Sequence, residues 1–140
     1  MVKSRQRRRP AARSRARSRS RAPLVDFDAI EALARDLPRV ERGMAWGTDA
    51  LKVDGQMFAC VPTHRSSEPG SLAVRVAFAD RDELIAHQPD TFYVKEHYLD
   101  YPCVLVRLQH IHPDALRGLL VMGWQFVTAN RAKRKRRRPS

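Results

Sequence analysis

The stretch VERGMAWGTDALKVDGQMFACV, residues 40–61, carries short alternating apolar runs broken by glycine-containing turns. Asp54-Gly55 stands between two of those runs. Glycine accepts a positive φ without steric cost, so this dipeptide signals a tight two-residue hairpin. The stretch predicts strands near 40–45, 50–54 and 56–61. Downstream, Thr63–Ser71 gathers Pro, Gly and Ser and reads as a loop. Leu72, Val74, Val76 and Phe78 then alternate with Ala73, Arg75 and Ala77, the clearest half-buried strand of the chain.

Helices flank this block. Phe27, Ile30, Leu33, Ala34 and Leu37 recur at helical spacing, with Asp26 or Asp28 as N-cap and Pro38 as the stop. Asp80 followed by Glu83 resembles a capping box, and Leu84 and Ile85 give a short second helix its apolar side before Pro89. A short extended piece at Phe92–Val94 and a turn around Asp100 and Pro102 lead to a strand over Cys103–Leu108. A last helix starts at Pro113, with Asp114 favouring the helix dipole. Leu116, Leu119, Leu120, Trp124 and Val127 mark its core-facing stripe, in which Trp124 is expected to be buried. The order predicts an α+β fold, a two-layer domain with an antiparallel-type sheet and helices on one face.

Charge divides the chain more sharply than hydropathy does. The net charge is +12, yet residues 1–22 hold ten Lys/Arg and residues 131–140 hold seven, with no acid in either segment. The remaining residues, 23–130, keep ten bases against all fifteen acids, a net charge of −5. An acidic domain thus sits between a basic arm (1–22) and a basic tail (131–140). Neither end offers apolar surface to offset its own charge repulsion, so both are expected to be disordered.

Several function classes find no support. Cys60 and Cys103 have no Cys-x-x-Cys spacing and read as buried reduced thiols. His110 and His112 lack a third ligand, so no metal and no cofactor is expected. Ser66, Ser67 and Ser71 lie near His64 and Glu68, a triad by composition only, and no G-x-S-x-G, phosphate-cradling loop or dinucleotide fingerprint is present. The chain reads as non-enzymatic. Without a run of about 20 apolar residues or a secretory signal, it is expected to be cytoplasmic and to need no membrane.

The pieces VERGMAWGTDALKVDGQMFACV (40–61), PDTFYVKEHYLDYPCVLVRL (89–108) and HPDALRGLLVMGWQFV (112–127) resemble the MmcQ/YjbR family of small bacterial proteins. The marks are Trp46-Gly47, Lys52 with its hairpin, Met57-Phe58, His97-Tyr98 and Trp124. The resemblance covers about Leu24 to Asn130. It implies a secretion-chaperone-like order, α-β3-α-β2-α, and a DNA-binding role, and it brings no catalytic motif to these positions. The Arg-Ser arm and the Lys-Arg tail depart from the family pattern.

Nucleic acid is the expected partner, DNA ahead of RNA, because each neutralised phosphate releases condensed counterions. The arm would contribute Arg7, Arg8, Arg9, Arg13, Arg15, Arg17, Arg19 and Arg21, and the tail Lys133, Arg134, Lys135, Arg136, Arg137 and Arg138. A plain solubilising role is the competing reading. A second candidate follows from strand alternation. If Leu51/Val53, Val74/Val76 and Val106/Leu108 face the helices, Lys52, Arg75 and Arg107 point to an open opposite face, with Trp46 and Tyr98 as stacking surfaces. These three are either a basic cluster or solvated outward positions. A protein- or peptide-binding adaptor is the alternative function.

Overall fold

The computed structural model describes residues 26–137. Helix α1 (Phe27–Leu33) begins where the Asp26 carboxylate accepts the Ala29 N–H at 2.9 Å, which satisfies one orphan donor of the first turn. Strands β1 (Val40–Ala45), β2 (Thr48–Val53) and β3 (Gln56–Cys60) follow as two consecutive hairpins. Both turns have the left-handed pair that type I′ geometry requires. Trp46 and Gly47 have φ of 51° and 80°, and Asp54 and Gly55 have 52° and 80°. Strand β4 (Ser71–Arg75), helix α2 (Phe78–His87), strands β5 (Phe92–Tyr93) and β6 (Cys103–Arg107) and helix α3 (Pro113–Arg137) complete the order. Four strands precede α2, one more than the α-β3-α-β2-α order implies.

All six strands pair antiparallel, in the order β1-β2-β3-β4-β6-β5. The fold is α+β. Alternation sets the core as expected: Leu51, Val53, Val74, Val76, Val106 and Leu108 are buried on the helix side with Leu116, Leu119, Leu120 and Val127 of α3. Gly123 lets α3 lie against the sheet. A Cβ there would stand 2.9 Å from Val74 Cγ1 and 3.2 Å from the carbonyl oxygens of Phe58 and Arg75.

Four local expectations are corrected. Helix α2 starts at Phe78 behind Ala77, which provides no side-chain cap, so the Asp80/Glu83 capping box does not form. Phe78 lies 4.9 Å from the Arg81 guanidinium, outside the strand that alternation had extended to it. Trp124 is half-buried: it packs on the edge of the core and its Nε1–H donates to the Pro38 carbonyl at 3.0 Å. Helix α3 continues through Arg137, so residues 131–137 of the expected disordered tail are helical. Lys, Arg and Ala are good helix formers, and adding residues to a helix already nucleated on a core costs far less than starting one.

Candidate functional site

Lys52, Arg75 and Arg107 alternate with residues buried against the helices, but the face opposite is not open, the three do not gather, and the Arg75 guanidinium reaches the Phe126 ring of α3 at 5.3 Å. That face has its own buried cluster, Ala50, Cys60, Ala73, Tyr93 and Leu105, covered by Met57 and Tyr98 and by the loops that precede β4 and β6. Arg75 pairs with Cys103 and Arg107 with Ser71, at opposite ends of the β4/β6 ladder. Four residues at the antiparallel rise separate them by roughly 13 Å. The Lys52 side chain lies over Gly43, on β2, two strands from β4.

The Arg107 guanidinium is consumed internally. Its Nε and Nη2 meet the two Glu68 carboxylate oxygens at 2.8 and 2.9 Å, and Nη1 donates to the carbonyls of Pro89 and Asp90 at 3.1 Å. The same group lies 4.4 Å over the Tyr93 ring. Tyr93 Oη accepts the Glu68 N–H at 2.8 Å and is 2.6 Å from Ser71 Oγ. Arg107 therefore holds the loop before β4 to the sheet. Its hydrogen bonds, and after them its charge, keep the Glu68 carboxyl below the ordinary value.

A second arginine that alternation does not single out fixes the loop before β6. Arg81, 6% exposed, donates from Nη1 to the carbonyls of Tyr98, Tyr101 and Cys103 and from Nη2 to that of Leu99, at 3.1 to 3.4 Å. No carboxylate takes part. The five-donor fork of a guanidinium suits a curved run of carbonyls in a way a Lys ammonium does not.

Between the two loops lies a cavity of about 250 Å³. Ala73, Cys60 and Cys103 are its small, buried lining groups, Met57, Pro62 and Tyr98 add apolar surface, and Arg75 is its one Lys or Arg. Trp46, 66% exposed, and Tyr101 also line it. Arg75 Nε donates to the Pro102 carbonyl at 3.3 Å, and the guanidinium lies 5.0 Å from the Tyr101 ring and 5.3 Å from that of Phe126 on α3. Burial pushes both thiols up to about 11, so Cys60 and Cys103 stay protonated at neutral pH.

The histidines close the site from the side. His97 stacks on His64 with centroids 3.7 Å apart and planes 12° from parallel, and Tyr98 meets both edge-on. The Ser66 N–H donates to His64 Nδ1 at 3.0 Å, and Ser66 Oγ is 2.8 Å from the same nitrogen. Desolvation, then His97 and Arg65, hold the His64 ring below the ordinary imidazole value. Glu68 goes to Arg107, so the Ser-His-Glu composition is not assembled as a relay. His112 Nδ1 accepts the Asp114 N–H at 3.1 Å at the start of α3. Among the described residues no group of three His, Cys, Asp or Glu is placed to hold a metal, and no helix is long and apolar enough to cross a membrane.

Other arginines of the domain are likewise paired with its own acids: Arg39 with Asp54, Arg42 with Asp28, Glu31 and Asp49, and Arg117 with Asp36. Arg131 Nη1 donates to the Asp54 carbonyl at 3.3 Å, so α3 leaves the domain at the β2/β3 turn. Lys133, Arg134, Lys135, Arg136 and Arg137 follow on the same helix, while Arg138 and the arm residues Arg7 to Arg21 lie outside the described residues.

A family model described as YjbR matches residues 35–126, two thirds of the chain. The chain belongs to the YjbR family. The match takes in the whole sheet, α2 and the core-facing part of α3, and stops before Arg131. The crystal structure of Deinococcus radiodurans protein DR2400, with a DUF419 domain, is similar in fold: the TM-score is 0.61 at 22% identity, covering 77% of this chain and 82% of that one. Among curated proteins none matches. The YjbR domain thus accounts for the sheet and its cavity, while both basic ends lie beyond the match.

Proposed function

We propose that this YjbR protein is a non-catalytic, cytoplasmic accessory protein that holds nucleic acid, DNA ahead of RNA, through its basic ends. One observation carries the reading: four arginines of the domain, Arg39, Arg42, Arg107 and Arg117, are paired with its own acids, whereas the sequence of the ends, residues 1–22 and 131–140, holds seventeen Lys/Arg and no acid. Such a distribution attracts a polyanion to the ends and gives little sequence preference. Helix α3 supports the geometry. From Arg131 it runs six residues further, about 9 Å at 1.5 Å per residue, carrying the basic run off the domain.

The salt dependence of binding tests this. With about half of the seventeen end cations on phosphate, the slope of log K against log[salt] is expected near −7 on duplex DNA. A chain cut to residues 23–130 keeps every core residue from Phe27 to Val127, and its slope is expected near zero. A steep slope retained by the cut chain would overturn the reading. Loss of duplex binding by the full chain would favour the adaptor reading, which the exposed Trp46 and Leu99 support.

A further inference from the structure

The cavity on the loop side of the sheet plays no part in the arm contact, and its chemistry is unlike that of the surface around it. Fifteen acids belong to the domain, and none lines it; Arg75 does. Its lining is apolar and aromatic, and its volume of about 250 Å³ lies below the range of drug-sized pockets. One ring system fits such a space; a folded segment does not. Trp46 gives the second indication. It occupies the first central position of a type I′ turn at φ 51°, where Asn, Asp or Gly is preferred, and it is 66% exposed. A large ring held two-thirds exposed on a strained backbone gains little packing there, and such strain gathers at ligand contacts.

We propose that this pocket takes one unpaired base of a single-stranded nucleic acid, with Trp46 and Tyr101 as stacking faces and Arg75 beside the phosphate. The proposal rests on the reading that the basic ends hold the phosphate backbone, and it names which form of nucleic acid the domain selects. Every base has a flat π-face, so stacking of this kind is tolerant of sequence, and a duplex keeps those faces hidden. Charge complementarity favours this guest: an acid-free aromatic pocket with one guanidinium suits a ring that carries an anion. The layout sets a length. Trp46-Gly47 and Asp54-Gly55 close opposite ends of β2, and Arg131 reaches the Asp54 carbonyl. Six residues of strand span roughly 20 Å, which a nucleic-acid strand crosses in about six nucleotides at 3.4 Å each.

The test uses the full chain and a labelled single-stranded DNA of about twelve nucleotides, twice that span, beside the same sequence as a duplex. Trp46→Ala and Tyr101→Ala are each expected to weaken single-strand binding roughly tenfold and to leave duplex binding and its salt slope unchanged. In a Trp124→Phe chain, where Trp46 is the remaining tryptophan, the single strand should quench the emission and the duplex should not. Unchanged single-strand affinity in both alanine variants, or equal losses on single strand and duplex, overturns the pocket; the arm reading then stands on the duplex slope alone. Absence of binding to either form by the unaltered chain overturns both.

Discussion

One face of the sheet is closed by helices and the other by loops, and the two are filled with different side chains. On the helix face Leu51, Val53, Leu72, Val74, Val104 and Val106 meet Leu116 and Leu120 of α3, all wholly buried. On the loop face Ala50, Cys60, Ala73 and Cys103 are small, and the bulk comes from Leu105 and from tyrosines whose hydroxyls and ring faces engage polar partners. An extra β3 residue in the β2/β3 register lets both Met57 and Cys60 reach this side. Helices bring side chains at close, regular spacing and can fill a face. Loops tied down by Arg81 and Arg107 bridge across small residues and leave a cavity. Stability is thus concentrated on one face and a binding surface becomes possible on the other.

The comparison breaks if truncations on the two faces cost the same. Leu120→Ala, in the centre of the helix face, is expected to cost about 2–5 kcal/mol in a urea melt. Met57→Ala, half-buried in the cavity wall, is expected to cost about 1 kcal/mol, because part of its surface already meets solvent or the cavity. Equal costs would show that the loop face is packed as a core.

Arg81→Ala should have the next largest effect, about 2–3 kcal/mol, since the carbonyls of Tyr98, Leu99, Tyr101 and Cys103 lose charged donors. Hydrogen exchange in residues 94–102 should rise more than in α3. Arg81→Lys should recover only part of the loss, having no fork to spread over four carbonyls. Full recovery would mean that charge alone, not geometry, holds the loop.

The helix face was largely legible in the sequence and the loop face was not, for a physical reason. Period-two alternation in Leu72–Val76 and Cys103–Leu108 and the stripe Leu116–Val127 report burial directly, so the inward positions and the Asp54-Gly55 hairpin were readable. Alternation also marked Lys52, Arg75 and Arg107 as pointing the other way, yet the Arg75 guanidinium ends between Tyr101 of a loop and Phe126 of α3. It carries no information on what a loop brings over them, and so it left Arg107 as a free cation when Glu68, 39 residues away, neutralises it. Arg81 sits on a helix of mixed polarity, where a buried guanidinium leaves no periodic signal. The usable traces of the pocket were Trp46-Gly47, a large aromatic in a turn that ordinarily takes small polar residues, and the placing of Tyr98 and Arg75 on the same side, since all three line it.

The thiols give a test through pH. Burial raises Cys60 and Cys103 from an ordinary 9.0 to about 11, so the folded chain keeps both protons while the unfolded chain releases them first. Their contribution to stability is complete below about pH 9 and is lost as pH rises through 11. A chain with both changed to Ala should lack that part of the alkaline decline, and in the unaltered chain alkylation at pH 8 should follow unfolding. Rapid alkylation of the folded protein would show that the cavity floor is open to solvent.

The smallest effect has the opposite sign and divides the two turns of the sheet. Asp54-Gly55 and Trp46-Gly47 share nearly the same backbone, with first-position φ of 52° and 51°. Asp tolerates that region and its carboxylate also meets Arg39 at 2.8 Å, so Asp54→Ala should destabilise. Trp46 has neither advantage. A side chain in the left-handed region costs on the order of 1 kcal/mol, and Asn relieves part of that strain while matching the turn type. Trp46→Asn is therefore expected to stabilise the fold by roughly 0.5 kcal/mol, read from the urea midpoint at constant slope. The same variant should lose the single-strand preference, which would place Trp46 among residues kept for contact at a cost in stability. A loss of stability instead would mean that the indole packs onto its surroundings strongly enough to outweigh the backbone strain, and the argument from strain to ligand contact would fall with it.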